Sequence, residues 1–189
     1  CPRRSRMLAL ALALAGLAGD ALAGDAAPLA DIVLSPDGDL WRADYTLAQP
    51  ARELRFERED RQGHRVQDWT PLDAGVELLQ VDGVEVLRRK DGEQFTSVVV
   101  RMQPRYRPLE KDYAPFSPFG DGGLLIHSGR FHACPGSCAD FADAAWRIRV
   151  QPPAGAHVIV HGEVKASADF VERDDGTNVY VGQATPVET

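Results

Sequence analysis

The sequence predicts an all-β fold, an antiparallel two-sheet sandwich that follows an N-terminal signal peptide. From Asp31 onward, short runs of β-forming residues recur about every 8–12 positions, with turn residues between them. Several runs alternate apolar and polar residues with a period of two, whereas no helical period is sustained. The chain has 17 glycines and 13 prolines among its 189 residues, which favours a turn-rich fold over a helical bundle.

The clearest strand is Leu40–Leu47, where alternate residues fall on opposite faces: Trp41, Ala43 and Tyr45 on one, Arg42, Asp44 and Thr46 on the other. Two runs flank Asp82-Gly83, a dipeptide that tolerates the positive φ angles of a two-residue hairpin turn. One short helix is expected near Ala139–Ala145. The further expected strands are Leu54–Glu57, Val76–Val81, Val84–Leu87, Phe95–Met102, Gly123–Phe131, Trp146–Val150, His157–Val164, Ala168–Glu172 and Asn178–Val181.

Residues 1–23 have the pattern of a secretory signal peptide. Three arginines precede the apolar run Met7–Leu17, and Ala21-Leu22-Ala23 forms a small-residue cleavage site. The run is shorter than the roughly 20 residues needed to span a bilayer. We therefore expect export to the periplasm or the medium, and no membrane attachment after cleavage.

Residues 24–189 are expected to form one β-sandwich domain, because a domain takes roughly 100–200 residues. The net charge of −7 argues against a nucleic-acid partner, which requires a basic face. The chain starts with Cys1 rather than Met and stops at Thr189 without a recognisable closing element. This suggests the N-terminal part of a longer protein.

The segment Pro104–Gly123 shows neither the period of two of a strand nor the period of a helix, and it contains four prolines and four aromatic residues. Such a long irregular segment in a small domain is usually functional or packed against something. One interpretation is a contact surface formed by Tyr106, Tyr113, Phe116 and Phe119. The other is that the rings fold back and cover one end of the sandwich.

The strongest local signal is Cys134-Pro135-Gly136-Ser137-Cys138. In an exported protein, two cysteines around a turn predict a disulfide that closes a tight loop. The competing interpretations are free thiols and a zinc site formed by His127, His132, Cys134 and Cys138.

Other candidate sites are weaker. His157 and His161 have a spacing that would share one face of a helix, but the β-branched residues between them predict a strand, on which they would stand roughly 13 Å apart. Calcium could be held by the oxygen-rich Asp37-Gly38-Asp39 and Asp174-Asp175-Gly176, although neither is a full ligand loop. No nucleophile elbow or phosphate-binding glycine loop is present in the sequence. We expect no cofactor and no catalytic residue in the chain.

Two stretches and one residue pair carry a family resemblance: WRADYTLAQPARELRFERED from Trp41, KDYAPFSPFGDGGLLIHSGRF from Lys111, and Arg65 with Trp69. They resemble the N-terminal region of exported gluzincin-type metallopeptidases, the glycyl-aminopeptidase-like and aminopeptidase N-like proteins. The resemblance covers about Asp31–Val181 and implies a β-sandwich. In that family the zinc motif His-Glu-x-x-His lies in a later helical domain, and this sequence does not contain it.

Two classes of function follow. The first is a non-catalytic accessory domain of an exported metallopeptidase-like protein, whose partner is a downstream peptidase-like domain. The second is a free-standing periplasmic or secreted module that binds a peptide, a sugar or a protein through the aromatic segment. We do not expect an enzyme complete within these residues.

Overall fold

The computed structural model describes residues 27–108, 113–141, 143–173 and 175–183. The signal peptide expected at residues 1–23 lies outside the described residues. The described chain contains fifteen strands, one α-helix and two 3-10 helices. The strands are β1 Ala30–Asp37, β2 Leu40–Ala51, β3 Glu53–Phe56, β4 Trp69–Pro71, β5 Val76–Val81, β6 Val84–Arg89, β7 Phe95–Met102, β8 Phe116–Pro118, β9 Leu124–His127, β10 Ala133–Pro135, β11 Trp146–Val150, β12 His157–Val160, β13 Glu163–Lys165, β14 Ala168–Glu172 and β15 Asn178–Gly182.

The strands form three sheets. Sheet A has the order β14-β11-β1-β2-β7-β4, sheet B the order β10-β3-β6-β5, and sheet C the order β13-β12-β15-β9-β8. All neighbouring strands are antiparallel except β1 and β11, which are parallel. The predicted all-β, sandwich-like fold is therefore confirmed, but the strands form three sheets instead of the expected two, and one pair is parallel.

The alternation read from the sequence sets which side chains enter the core. In β2, Trp41, Ala43 and Tyr45 are buried, while the residues between them are half-buried or exposed. Asp82 and Gly83 both have positive φ angles, 53° and 84°, and turn β5 into β6. This is the hairpin turn that the dipeptide predicted.

Three predicted elements differ from the structure. The expected helix near Ala139–Ala145 is reduced to a 3-10 helix at Cys138–Asp140, and the α-helix instead spans His64–Asp68. The expected strand Gly123–Phe131 ends at His127 and continues as a 3-10 helix, Ser128–Phe131. The expected strand His157–Val164 is broken by a turn, because His161 and Gly162 have φ angles of 51° and 79°.

A chain of aromatic rings connects the sheets through the core. Trp41 of sheet A lies 6.3 Å from Phe116 of sheet C, and Phe116 lies 5.7 Å from Phe131. Phe131 stacks on Trp69 at 5.3 Å, and Trp69 meets Phe56 of sheet B at 5.5 Å. Aromatic pairs with centroids 4.5–7 Å apart contribute stabilisation beyond the burial of apolar area. The chain of aromatic rings therefore holds the three sheets against one another.

Candidate functional site

The three sheets meet at one place, which we call the junction. It is built from Glu57 and Arg58 after β3, Ser128–His132 between β9 and β10, and the link from β14 to β15. The Ser128 hydroxyl donates to the carbonyl of Thr177 at 3.0 Å and accepts from its N–H at 2.6 Å. Arg58 donates to the carbonyl of Asp175 at 2.6 Å. Hydrogen bonds from Ser128 and Arg58 therefore hold the link between β14 and β15 against the other two segments of the junction.

His132 is the central residue of the junction. Its imidazole is fully buried, with Nδ1 3.2 Å from Oε2 of Glu57 and Nε2 2.7 Å from Oε1 of Glu172. The ring also stacks on Trp146, with centroids 4.0 Å apart and planes 5° apart. Since Glu57 follows β3 of sheet B and Glu172 is the last residue of β14 in sheet A, one imidazole joins the two sheets.

The charges around His132 determine its protonation. Burial lowers the pKa of His132, but the hydrogen bonds and charges of Glu172 and Glu57 raise it by more, so the net pKa lies above the ordinary value. Burial raises the pKa of Glu172, but His132 and the neighbouring hydroxyls lower it by more. The arrangement favours an imidazolium between two carboxylates.

A second buried ion pair lies beside the junction. Arg65 and Glu85 are almost fully buried and are joined by a direct ion pair. The Arg65 guanidinium also donates to the carbonyl of Arg130 at 2.9 Å and lies 4.4 Å from the Phe56 ring. Its donors are thus used by the fold, which is the condition under which a buried ion pair is tolerated.

Two open depressions flank the junction. One, of about 270 Å³, is lined by Glu57, Cys138, Phe141, Asp143, Ala144, Trp146 and Arg173. The other, of about 420 Å³, is lined by His161, Val171, Glu172, Arg173, Gly176 and Thr177. The two carboxylates that hold His132 therefore each line one depression, and Arg173 borders both.

The predicted disulfide is present, since Cys134 and Cys138 are bonded. Both cysteines are thus oxidised, and both nitrogens of His132 face carboxylates. The alternative zinc set of the two cysteines with His127 and His132 is therefore not assembled. In the described part of the chain, no group of three or more His, Cys, Asp or Glu side chains is placed to hold a metal ion.

The weaker candidate sites have structural roles. His161 lies in the β12–β13 turn, and its ring meets Phe170 at 5.5 Å, whereas His157 begins β12. Asp37, one of the two calcium candidates before β2, accepts from Arg101 at 2.7 Å. Asp174 of the other candidate set is outside the described residues.

The aromatic segment divides into exposed and buried rings. Tyr106, Tyr113 and Phe119 are 60%, 57% and 46% exposed, as a contact surface requires. Phe116 is fully buried, so its assignment to that surface is wrong. As the first residue of β8, it points between the sheets and contacts Trp41 and Phe131.

Comparison with known proteins gives matches among solved structures, while no family model and no curated protein matches the chain. One match is an M1 zinc metallopeptidase from Deinococcus radiodurans, a mutant bound to a Tyr-Ser-Ala substrate, with 14% identity and a TM-score of 0.43. A mutant of a two-domain M1 zinc metallopeptidase bound to L-tryptophan matches with 14% identity and a TM-score of 0.42. Each match covers 81% of this chain and 41% of the solved one, so the chain spans about two fifths of their length.

In the described residues, no helix is long and apolar enough to cross a membrane.

Proposed function

We propose that the chain is a non-catalytic accessory domain of an exported metallopeptidase-like protein. The observation that carries the proposal is the position in the fold of the two stretches, from Trp41 and from Lys111, that resemble the metallopeptidases. The first supplies β2 and β3, and the second supplies β8, β9 and the 3-10 helix Ser128–Phe131. Their rings, together with Trp69, form the aromatic chain that connects the three sheets. The resemblance therefore concerns the residues that build the scaffold.

The buried charges support a scaffold role. His132 uses both ring nitrogens to join two sheets, and Arg65 neutralises Glu85 while bonding to backbone carbonyls. A general base or a metal ligand needs a lone pair that faces a substrate or an ion. These groups are instead committed to one another, which suits a rigid module that supports a site formed elsewhere.

Peptide hydrolysis by a zinc enzyme needs about three protein ligands and an open position for water. The sequence has no His-Glu-x-x-His motif, and the described residues do not supply an alternative ligand set. In the proposal, zinc is therefore held by another domain of the protein, and no step of the reaction is assigned to this chain.

Export is part of the proposal. It is supported by the signal-peptide pattern of residues 1–23 and by the disulfide between Cys134 and Cys138, since disulfides persist mainly in oxidising compartments. Mass spectrometry of the protein from its own cell should find an N-terminus at Gly24. Uncleaved protein in the cytosol would contradict export.

The experiment that tests the accessory role is to sequence the gene beyond the codon for Thr189. The proposal predicts a continuous reading frame that encodes a His-Glu-x-x-His motif and a downstream glutamate. A stop codon directly after Thr189 would contradict it and would favour the second candidate.

The second candidate is a free-standing module that binds a peptide, a sugar or a protein. The observation that favours it is the exposure of Tyr106, Tyr113 and Phe119, since exposed apolar surface often marks a binding site. Titration with peptides and oligosaccharides by isothermal calorimetry, with Tyr106→Ala as the comparison, tests it. Saturable binding that the variant loses would support this candidate.

A further inference from the structure

Five Asp-Gly dipeptides lie in turns or loops of the described chain, and the glycine of each has a positive φ angle. Glycine lacks a Cβ atom, so its backbone nitrogen is the least hindered towards the side chain of the preceding residue. Because the covalent chemistry is the same in all five dipeptides, the fold decides which of them reacts. They are Asp37-Gly38, Asp82-Gly83, Asp91-Gly92, Asp121-Gly122 and Asp175-Gly176.

The reaction open to such a dipeptide is closure of a succinimide ring. The glycine nitrogen forms a bond to Cγ of the neutral aspartic acid, and the carboxyl hydroxyl and the amide proton leave together as water. Water then opens the ring at either carbonyl, which restores aspartate or leaves the backbone running through Cβ as isoaspartate. The reaction therefore needs a carboxyl group that can turn towards the amide, and an amide N–H that no carbonyl holds.

Guanidinium groups restrain two of the five carboxyl groups. Asp37 accepts from Nε of Arg101 at 2.7 Å, and Oδ1 of Asp175 lies 2.8 Å from Nη2 of Arg58. In the described residues, no backbone carbonyl accepts from the Gly38 N–H. The Arg101 ion pair is therefore the restraint on the first of these dipeptides.

Asp91-Gly92 is restrained at both reacting groups. The Asp91 carboxylate accepts from the Arg89 guanidinium at 2.6 Å and from the Glu93 N–H at 3.0 Å, and these bonds lower the pKa of Asp91 to about 2. The Gly92 N–H donates to the carbonyl of Arg89 at 3.1 Å. The carboxyl group thus stays ionised, and the amide nitrogen is held away from it.

Asp121-Gly122 is also restrained at both groups. Oδ1 of Asp121 accepts from the Gly123 N–H at 2.8 Å, and the Gly122 N–H donates to the carbonyl of Phe119 at 3.1 Å. Ring closure here requires that two hydrogen bonds break first.

Asp82-Gly83 meets both requirements. It forms the two-residue turn between β5 and β6, and the Asp82 side chain is exposed. Across the described parts of the chain, neither a hydrogen bond nor an ion pair engages the Asp82 carboxyl group or the Gly83 N–H. A Cβ atom at Gly83 would meet nothing within 4 Å, so the space around the amide is open.

We propose that Asp82 is a self-modification site, at which aspartate converts to isoaspartate through a succinimide, while the fold protects the other four Asp-Gly dipeptides. The proposal goes beyond the accessory function and does not depend on it. Isoaspartate adds one backbone atom to a two-residue turn, so the adjacent pair of Val81 and Val84 is the part of the hairpin that it disturbs. Since β5 is an edge strand of sheet B, the change stays outside the core.

The test is incubation of the folded protein at mildly acidic pH in water enriched in a heavy oxygen isotope, followed by tryptic digestion in ordinary water and mass spectrometry. Each opening of a succinimide adds one solvent oxygen, and each of the five dipeptides lies in its own tryptic peptide. The peptide with Asp82 should gain heavy oxygen several-fold faster than the other four, and electron-transfer fragmentation should identify isoaspartate at Asp82. Equal gain in all five, or a faster gain in another, would overturn the proposal.

Unfolding supplies the first control. In urea, after reduction of the disulfide, the restraints of the fold are lost, and the five peptides should gain heavy oxygen at similar rates. A several-fold advantage of Asp82 that persists in urea would contradict protection by the fold.

Two variants supply the matched controls. The tryptic peptide with Asp82 also contains Asp68 and Asp73, and Asp82→Glu should abolish its gain, because glutamate would have to close a larger and less favoured ring. Arg101→Gln should leave circular dichroism unchanged, since the Arg101 side chain is 44% exposed, and should raise the gain at Asp37 several-fold. A gain that survives Asp82→Glu, or an Asp37 that stays unreactive in Arg101→Gln, would contradict the proposal.

Discussion

The Nε2 atom of His132 lies 2.7 Å from Oε1 of Glu172, and this contact connects the residue that precedes β10 of sheet B to the last residue of β14 in sheet A. The opposite nitrogen faces Glu57, so the imidazole bridges two carboxylates that are far from it in sequence. A buried histidine whose pKa is raised by the hydrogen bonds and charges of two carboxylates therefore lies at the point where the sheets meet.

The first prediction is a pH dependence. The pKa of His132 is raised in the folded protein, so its contribution to stability is fully present below the unfolded pKa of about 6.5 and is lost as pH rises through the folded pKa. The free energy of unfolding of the wild type, relative to His132→Gln, should therefore fall as pH rises above about 6.5. Urea unfolding between acid and alkaline pH measures it, and a difference that does not change with pH would contradict an ionised His132.

The second prediction concerns the buried pair. Glu85→Ala should lower the free energy of unfolding by about 3–5 kcal/mol, because it leaves the buried Arg65 guanidinium without its carboxylate. Asp169→Ala is the matched comparison. It breaks the exposed pair with Arg147 and should cost about 1 kcal/mol or less. Similar losses in urea unfolding for both variants would show that Arg65 is solvated.

The third prediction separates two rings of the aromatic segment. Phe116→Ala should cost about 3–5 kcal/mol, because it removes a fully buried ring from the aromatic chain. Phe119→Ala, at a residue 46% exposed, should cost about 1 kcal/mol or less. Thermal and urea unfolding of the two variants check this. A large loss for Phe119→Ala would show that its ring belongs to the core.

The fourth prediction concerns the close approach of two loops at the junction. A Cβ atom at Gly129 would overlap the backbone carbonyl of Asp175, so Gly129→Ala should cost about 1–3 kcal/mol. Gly120→Ala is the control, because a Cβ atom there meets nothing within 4 Å and the residue has no positive φ. If the two variants were equally stable, the loops would not be packed as described.

The strands were predictable because their period of two and their Asp-Gly turns are local signals. Val76–Val81, Phe95–Met102, Trp146–Val150 and Ala168–Glu172 have the predicted bounds. The helix His64–Asp68 could not be predicted, because five residues are too few to show a helical period. It begins where the Asp60 carboxylate accepts from the His64 N–H at 3.0 Å, a bond that is recognised only in the structure.

The junction was not predictable for a different reason. His132 is 75 residues from Glu57 and 40 residues from Glu172 in sequence, and no spacing rule connects them. The disulfide was predictable because Cys134 and Cys138 are close in sequence and flank a turn. The sequence thus indicated contacts between residues that are close in sequence. Contacts between sheets depend on the order of the strands, which the sequence pattern does not show.

A peptidase assay with added Zn²⁺ decides whether the chain is non-catalytic, and it compares two purified proteins, residues 24–189 and the mature polypeptide of the complete reading frame. On aminoacyl and peptide substrates, the accessory role predicts no hydrolysis by residues 24–189 alone. It predicts zinc-dependent hydrolysis by the complete polypeptide, which is abolished when the glutamate of its His-Glu-x-x-His motif is changed to glutamine. Zinc-dependent hydrolysis by residues 24–189 would contradict the non-catalytic accessory role.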